Sequence, residues 1–373
     1  MKYLAVLGRQ PKISLAELES LFAGVRQISP ELAAFNSATI PNINHLGGSL
    51  KLARELLSSP LDFLSDLPTG KITLGISDFS SHASKNSAQT EALRLKKILA
   101  RHSRSVRVLE NKTATLSTAT SHHNQLAEKQ NHVELIKFNK EWFVVTGVQN
   151  ITAYARRDQA RPARDAKVGM LPPKLAQILI NLCGNLPEKS TLLDPFCGTG
   201  VLLQEALLMG YTPYGTDLSE RMVGYTRKNL DWLTKKGLTK EDVYAKMEVC
   251  VGDAIDFEWS KKINAVACET YLGPPMSAVP PEIKLKSAQQ ECRPIILGFL
   301  KNLSRQIASG TPVALAIPAW RKENGEYSRL NILDEIENLG YNVVKLKNSD
   351  QRDLLYHRDG QIVARELIIL RKN

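Results

Sequence analysis

The stretch Thr191-Leu192-Leu193-Asp194-Pro195-Phe196-Cys197-Gly198-Thr199-Gly200, continued by residues 201–209 and closed by Gly210, decides the fold. A short apolar run ending in an acid reads as a buried strand, and residues 201–209 read as a helix, so a strand, a glycine turn and a helix follow one another without a gap. The two glycines allow close approach of backbone to a ligand, and the unpaired amides at the helix start face whatever sits there, which makes a nucleotide cradle. Leu203 stands where the third glycine of a dinucleotide fingerprint would fall, and no Lys-Ser/Thr pair follows as a phosphate loop requires. The motif therefore points to neither NAD nor ATP.

Downstream, a second strand ends in Tyr214-Gly215-Thr216-Asp217 and a third, 247–251, ends in Gly252-Asp253-Ala254. Asp217 is placed to accept both hydrogen bonds of a ribose diol, and Asp253 to accept from an adenine amino group. Either acid alone could equally cap the helix after it. Three acids behind three successive strands, with the glycine turn, point instead to one ligand rim. Strands and helices alternate from a proline-started helix at 172–182 to the end, so residues 171–373 are expected to form a doubly wound α/β sheet.

Upstream, a strand at 2–7, a helix at 14–22 and a helix at 49–57 after Gly47-Gly48 predict an α+β N-terminal domain over 1–70, closed by Pro68-Thr69-Gly70. A second α+β module is expected over 71–154: strand 72–76, helix 88–101, strand 106–109, helix 116–127 and strands 133–138 and 141–147 about an Asn139-Lys140 turn. Residues 155–170, polar and rich in arginine, read as a linker; Arg156, Arg157, Arg161 and Arg164 could meet phosphates or pair with Asp158 and Asp165.

A chain of 373 residues is long for one folding unit, and 43% hydrophobic with 23% charged residues excludes fibrous and wholly disordered classes. No run approaches the roughly 18 apolar residues of a membrane span. The opening Tyr3-Leu4-Ala5-Val6-Leu7-Gly8 meets Arg9, Gln10 and Lys12 too early for a signal peptide. Five cysteines, odd in number and without a Cys-x-x-Cys pair, fit a reducing cytoplasm, and neither they nor the scattered histidines supply a ligand set, so no metal is expected. The net charge is +11, and residues 1–157 hold 20 Lys and Arg against 12 Asp and Glu. A basic half concentrates a polyanion such as nucleic acid, although such a face can also be simply solvated.

Asp194 to Gly200 resembles the first motif of the S-adenosylmethionine-dependent methyltransferases that carry an N-terminal THUMP domain and modify guanosine N2 in tRNA. The resemblance extends to the opening strand, to the middle module as THUMP, to Leu171-Pro172-Pro173-Lys174-Leu175-Ala176 and to the terminal Gln361-Ile362-Val363-Ala364-Arg365-Glu366. It implies a Rossmann-like methyltransferase domain preceded by the α+β domain and the THUMP module, with S-adenosyl-L-methionine as cofactor and tRNA as partner. It also implies that Asp194, Gly198 and Gly200 surround the methionine part of the cofactor, Asp217 the ribose, and Asp253 with Ala254 the adenine, with Pro195 and Phe196 of the same turn also binding the cofactor. Some relatives require a small activating subunit, and the resemblance leaves open whether this chain does.

The fourth strand, 264–268, should end in Asp/Asn-Pro-Pro-Tyr/Phe but ends in Glu269-Thr270-Tyr271-Leu272-Gly273-Pro274-Pro275. An exocyclic guanine amine is a poor nucleophile, so the site must accept its protons, aim its lone pair at the methyl and hold the base by stacking. Glu269 can accept and Tyr271 can stack. For RNA, Arg94, Lys96, Lys97, Arg101, Arg104 and Arg107 follow one another without an acid between them, the pattern of a phosphate-gripping surface or of a solvated helix face. Two other readings stand beside tRNA methylation: a catalytically silent RNA-binding protein that retains the cofactor, and an rRNA or DNA amino-methyltransferase.

Overall fold

The computed structural model describes residues 1–165, 171–237, 244 and 246–373. The chain divides into two compact units, Met1–Leu18 with Phe22–Tyr154, and Glu19–Leu21 with Ala155–Asn373.

The first unit is built on strands β1 (Lys2–Leu7), β2 (Ala23–Ser29), β3 (Leu32–Asn36), β4 (Ser49–Glu55), β5 (Ile72–Asp78), β6 (Val106–Val108), β7 (His132–Phe138) and β8 (Glu141–Val148), in the order β2-β3-β1-β4-β8-β7-β5-β6. The helix expected at 49–57 is strand β4. Leu-Lys-Leu-Ala-Arg-Glu-Leu-Leu favours a helix locally, but here it lies mid-sheet, antiparallel to β1 on one side and β8 on the other. Burial on both edges overrides local preference. Lys51 shows how: its ammonium is buried against Glu134 at 2.6 Å and donates to the Leu116 carbonyl at 2.8 Å, while Ser77 and Ser121 donate to the same carboxylate. A lysine that looks like a helix's solvated face in the sequence is the centre of a closed polar network.

The β4–β8 ladder also joins the two expected α+β modules, so the boundary placed near residue 70 falls inside one continuous sheet. The helix expected over 116–127 is only Thr118–His123, after which Gln125 and Ala127 take positive φ and turn the chain into β7. The helix expected over 88–101 forms but starts one turn earlier, as Lys85–Arg101, with Ala88, Ala92, Leu95 and Leu99 buried on one stripe and a Ser84–Ser87 capping box at its start.

In the second unit the strands are β9 (Thr191–Asp194), β10 (Thr212–Asp217), β11 (Glu248–Val251), β12 (Ala265–Glu269), β13 (Pro312–Arg321), β14 (Tyr327–Ser328), β15 (Tyr341–Val343), β16 (Leu355–Tyr356) and β17 (Val363–Lys372). Their order is β11-β10-β9-β12-β13-β17-β15, with β14 beside β13 and β16 beside β17. β9 to β13 run parallel and β17 lies antiparallel against β13. This is the expected doubly wound Rossmann-like sheet, closed by an antiparallel edge. Strand order reverses at β9 and β12, and beyond the carboxyl ends of strands at such a reversal lies the crevice where ligands bind in open α/β sheets. Helix Glu282–Leu303 packs across the sheet through Leu285, Ala288, Cys292, Ile296, Phe299 and Leu303, each spaced three or four residues from the last. Residues 151–159, partly assigned to the linker, form a helix, and residues 166–170 of that linker lie outside the described residues.

Candidate active site

At the end of β9 the Phe196 amide donates to Asp194 Oδ1 at 3.2 Å, which starts the turn. Gly198 and Gly200 both take left-handed backbone, φ 51° and 79°. A Cβ on Gly200 would stand 2.8 Å from Thr226 Cγ2, and the Thr226 hydroxyl donates to the Gly198 carbonyl at 2.8 Å, so the turn is gripped from behind. A Cβ on Gly198 would meet nothing closer than 3.9 Å, so that glycine answers to its φ. The missing third glycine is replaced on the neighbouring strand: a Cβ on Gly215 would lie 2.4 Å from Leu203 Cδ1. Close helix–strand packing is thus supplied from β10 and Leu203 fills it.

Asp217 is tied into this turn. Its Oδ2 accepts from the Gly198 amide at 2.8 Å and its Oδ1 from the Ser219 amide at 2.9 Å, so it is more than a cap for the following helix. Asp253 Oδ1 accepts from the Ile255 amide at 3.0 Å in its own turn, and Ala254 is buried beneath it. Burial pushes the Asp194 carboxyl far above the usual carboxylate range, and the nearby Asp217 and Glu269 push it in the same direction. Burial also raises Asp217, against the pull of its two backbone donors.

These residues line one cavity of about 800 Å³, together with Pro195, Phe196, Gly198, Glu269, Tyr271 and Glu291. Asp217, Asp253 and Glu291 leave its wall acidic, with Asp194 pushed toward its neutral form, Glu269 paired with Arg365, and Arg221, which also lines it, paired with Asp165 at 2.9 Å. A cationic ligand suits that field. Leu218 and Ile255 are 72% and 41% exposed on the same wall, apolar surfaces beside Asp217 and Asp253 that suit the faces of a planar ring. Neither stands out in the sequence, although an apolar residue soon after a strand-end acid is the available signal.

Glu269 and Tyr271 both reach the cavity, but each is already engaged. Arg365 Nε, from β17, donates to Glu269 Oε1 at 2.8 Å. The Tyr271 hydroxyl donates to Glu291 Oε1 at 2.6 Å, and burial, followed by that carboxylate, raises its pKa. The Thr270 amide donates to the Ala316 carbonyl at 3.0 Å, prolonging the β12–β13 ladder by one residue and fixing the start of the altered loop. Nothing local in the sequence marks Arg365 or Glu291 for these roles.

The basic set is only partly a free surface. Glu91 clamps Arg94 with two bonds of 2.8 Å, and Arg104 donates to the carbonyls of Leu67 and Pro68. Lys96, Lys97, Arg101 and Arg107 stay exposed. Of the linker arginines, Arg157 pairs with Glu205 at 2.7 Å, Arg161 is buried with Asp158 3.8 Å away, and Arg164 donates to the Gln159 carbonyl. Among the described residues no group of His, Cys, Asp and Glu is arranged to hold a metal, and no helix is long and apolar enough to cross a membrane.

Sheet order, glycine turn and strand-end acids define a Rossmann-like ligand-binding domain, and within it residues 161–253 match the model of the UPF0020 family, described as an RMKL-like methyltransferase domain. More particularly, the chain is similar to tRNA (guanine(10)-N2)-dimethyltransferases. It is 32% identical over 180 residues to that of Methanothermobacter thermautotrophicus, covering 48% of each chain. To that of Pyrococcus abyssi it is 36% identical over 106 residues, covering 28% of this chain and 29% of the other. The chain thus spans half or less of the length of these curated relatives. Among solved structures, TrmN from Thermus thermophilus aligns over the whole of both chains with 18% identity and a TM-score of 0.47.

Proposed function

We propose that the chain transfers a methyl group from S-adenosylmethionine to the exocyclic N2 of a guanosine in tRNA. The observation that carries this reading is the single cavity in which a glycine turn, the acids Asp194, Asp217 and Asp253, and the acceptor and aromatic pair Glu269 and Tyr271 converge. The residues suit the cofactor. Gly198 leaves open the face a side chain would fill, and the acidic wall suits a ligand carrying a sulfonium and an ammonium. Each Asp217 oxygen accepts one amide and keeps capacity for a ribose hydroxyl, Asp253 is offered to the adenine amine, and Leu218 and Ile255 to its ring. When bound, the cofactor supplies an electrophilic methyl.

The protein's own work is positioning. Glu269 accepts a hydrogen bond from an N–H of the guanine amine and so aims its lone pair, and Tyr271, held by Glu291, presents its ring to the base. In the first unit we assign the tRNA-gripping, THUMP-like role to Lys96, Lys97, Arg101 and Arg107, whose charges are exposed. A cytoplasmic setting belongs to the same reading, because tRNA is the proposed substrate. A second reading, a cofactor-binding protein without catalysis, draws support from the partners that already occupy Glu269 and Tyr271.

The test is to incubate the purified chain with radiolabelled S-adenosylmethionine and unmodified tRNA, rRNA or duplex DNA in parallel. Label entering tRNA alone supports the proposal; label entering rRNA or DNA instead contradicts it. Cofactor binding without transfer to any substrate supports the silent reading. Transfer that appears only after a cell extract is added indicates an activating subunit.

A further inference from the structure

We propose that Arg365 is a positioning residue for methyl transfer, holding Glu269 so that one carboxylate oxygen stays directed to the reacting amine. The inference rests on the reading of Glu269 as the amine's acceptor. β13 separates β12 from β17, and Arg365, paired across the ladder with Pro318, reaches over β13 to the end of β12. The Arg365 side chain is 7% exposed and the Glu269 side chain 16%, so the pair is largely shielded from solvent, where its charge-assisted bond is geometrically defined and losing one partner is costly. Arg365 takes Oε1, and its Nη1 donates to the Val363 carbonyl at 3.3 Å, which fixes the guanidinium itself. Among the described residues Oε2 has no hydrogen-bond partner, and Glu269 lines the cavity.

A glutamate has one more rotatable bond than the aspartate or asparagine that the sequence pattern leads one to expect at this place. Unrestrained, its carboxylate would sample several positions, and a misplaced acceptor loses most of its effect on rate. The salt bridge removes that freedom. Glu269 and Arg365 thus form a two-residue acceptor that does the work of a shorter side chain held by prolines.

Single-turnover methyl transfer to tRNA should be measured for the wild type and for the R365Q, R365K, E269Q and E269Q/R365Q variants, with cofactor affinity by calorimetry. R365Q should slow transfer by about 10- to 1000-fold while the cofactor Kd stays within about twofold, because the cofactor is held at β9 to β11. R365K should recover part of the rate. In the E269Q background, R365Q should slow transfer no further, since Arg365 acts only through Glu269. The double variant also removes both charges, so this comparison survives if R365Q alone, with Glu269 left unpaired, folds poorly. An R365Q rate equal to wild type, or losses that multiply in the double variant, would overturn the proposal. A wild type that transfers no methyl would overturn the functional reading and this inference together, a result distinguishable from the others at the first measurement.

Discussion

Replacing Asp217 by alanine separates the two tasks assigned to that carboxylate. Within the protein it accepts the Gly198 and Ser219 amides at 2.8 and 2.9 Å; toward the cofactor it is offered to the ribose. Charge-assisted hydrogen bonds are worth about 1.5 to 3 kcal/mol each, so alanine removes substantial support from the glycine turn. Burial opposes that loss, because it holds the Asp217 carboxyl above its usual range and alanine relieves the cost of a desolvated charge. The net change in unfolding free energy should therefore be small, about 1 kcal/mol. Affinity has no such compensation. Losing the ribose partner should cost about 1 to 3 kcal/mol, a rise in Kd of roughly 5- to 150-fold. Asp217→Asn should fall between, since the amide keeps one acceptor but turns a donor toward a backbone N–H. Calorimetry of S-adenosylmethionine binding, with urea unfolding of the same samples, measures both quantities. A well-folded Asp217→Ala protein whose Kd stays within twofold of wild type would refute the ribose assignment.

Other expectations follow from the same geometry. Gly200→Ala should destabilise the protein by about 2 kcal/mol or more, since it forces left-handed backbone on alanine and meets Thr226 Cγ2 at 2.8 Å; adding Thr226→Ser, which removes Cγ2 and keeps the hydroxyl bonded to the Gly198 carbonyl, should return part of the steric cost on thermal unfolding. Lys51→Met should cost about 3 to 5 kcal/mol by stranding the buried Glu134 carboxylate, and Glu134→Gln in that background should recover part of it in urea melts. Replacing Lys96, Lys97, Arg101 and Arg107 together by alanine should weaken tRNA binding and flatten the salt slope by about one for each phosphate that is no longer neutralised. Arg94→Ala should leave that slope nearly unchanged, because Glu91 already holds its guanidinium. The raised carboxyls of Asp194 and Asp217 mean that the folded state binds protons more tightly than the unfolded chain, so their contribution to stability is lost as pH rises from about 3.8 through their folded values. A cationic cofactor favours the ionised acids, so the rise in Tm it produces should grow with pH across that window; a shift that shrinks instead would remove these acids from the site.

What the sequence discloses and what it conceals divides by distance along the chain. The β9 turn is readable because the strand, both glycines and the helix are contiguous, and the acids of β10 and β11 because each closes its own strand. Strand β4 looks helical because its burial on both edges is set by β1 and β8, which a local window cannot register. The same limit hides β2 and β3, and it hides the means by which Leu203 is accommodated, since the space is made by Gly215 on another element. At the end of β12, the departure at Glu269 is plain from the sequence, but its partner lies 96 residues away on a strand that returns antiparallel beyond β13. Arg94 and Arg104 look like members of a basic surface because their acceptors, one turn back on the helix and in the loop before β5, are invisible to a count of charges.

If the exocyclic amine of guanosine receives the methyl, nucleoside analysis of the product will show it. Unmodified tRNA incubated with the purified chain and S-adenosylmethionine should be digested to nucleosides and resolved by mass spectrometry. The expected product is N2-methylguanosine or N2,N2-dimethylguanosine, with its formation abolished or strongly slowed in the Glu269→Gln variant. A methyl on a guanosine ring nitrogen, on another base or on a ribose hydroxyl would contradict it.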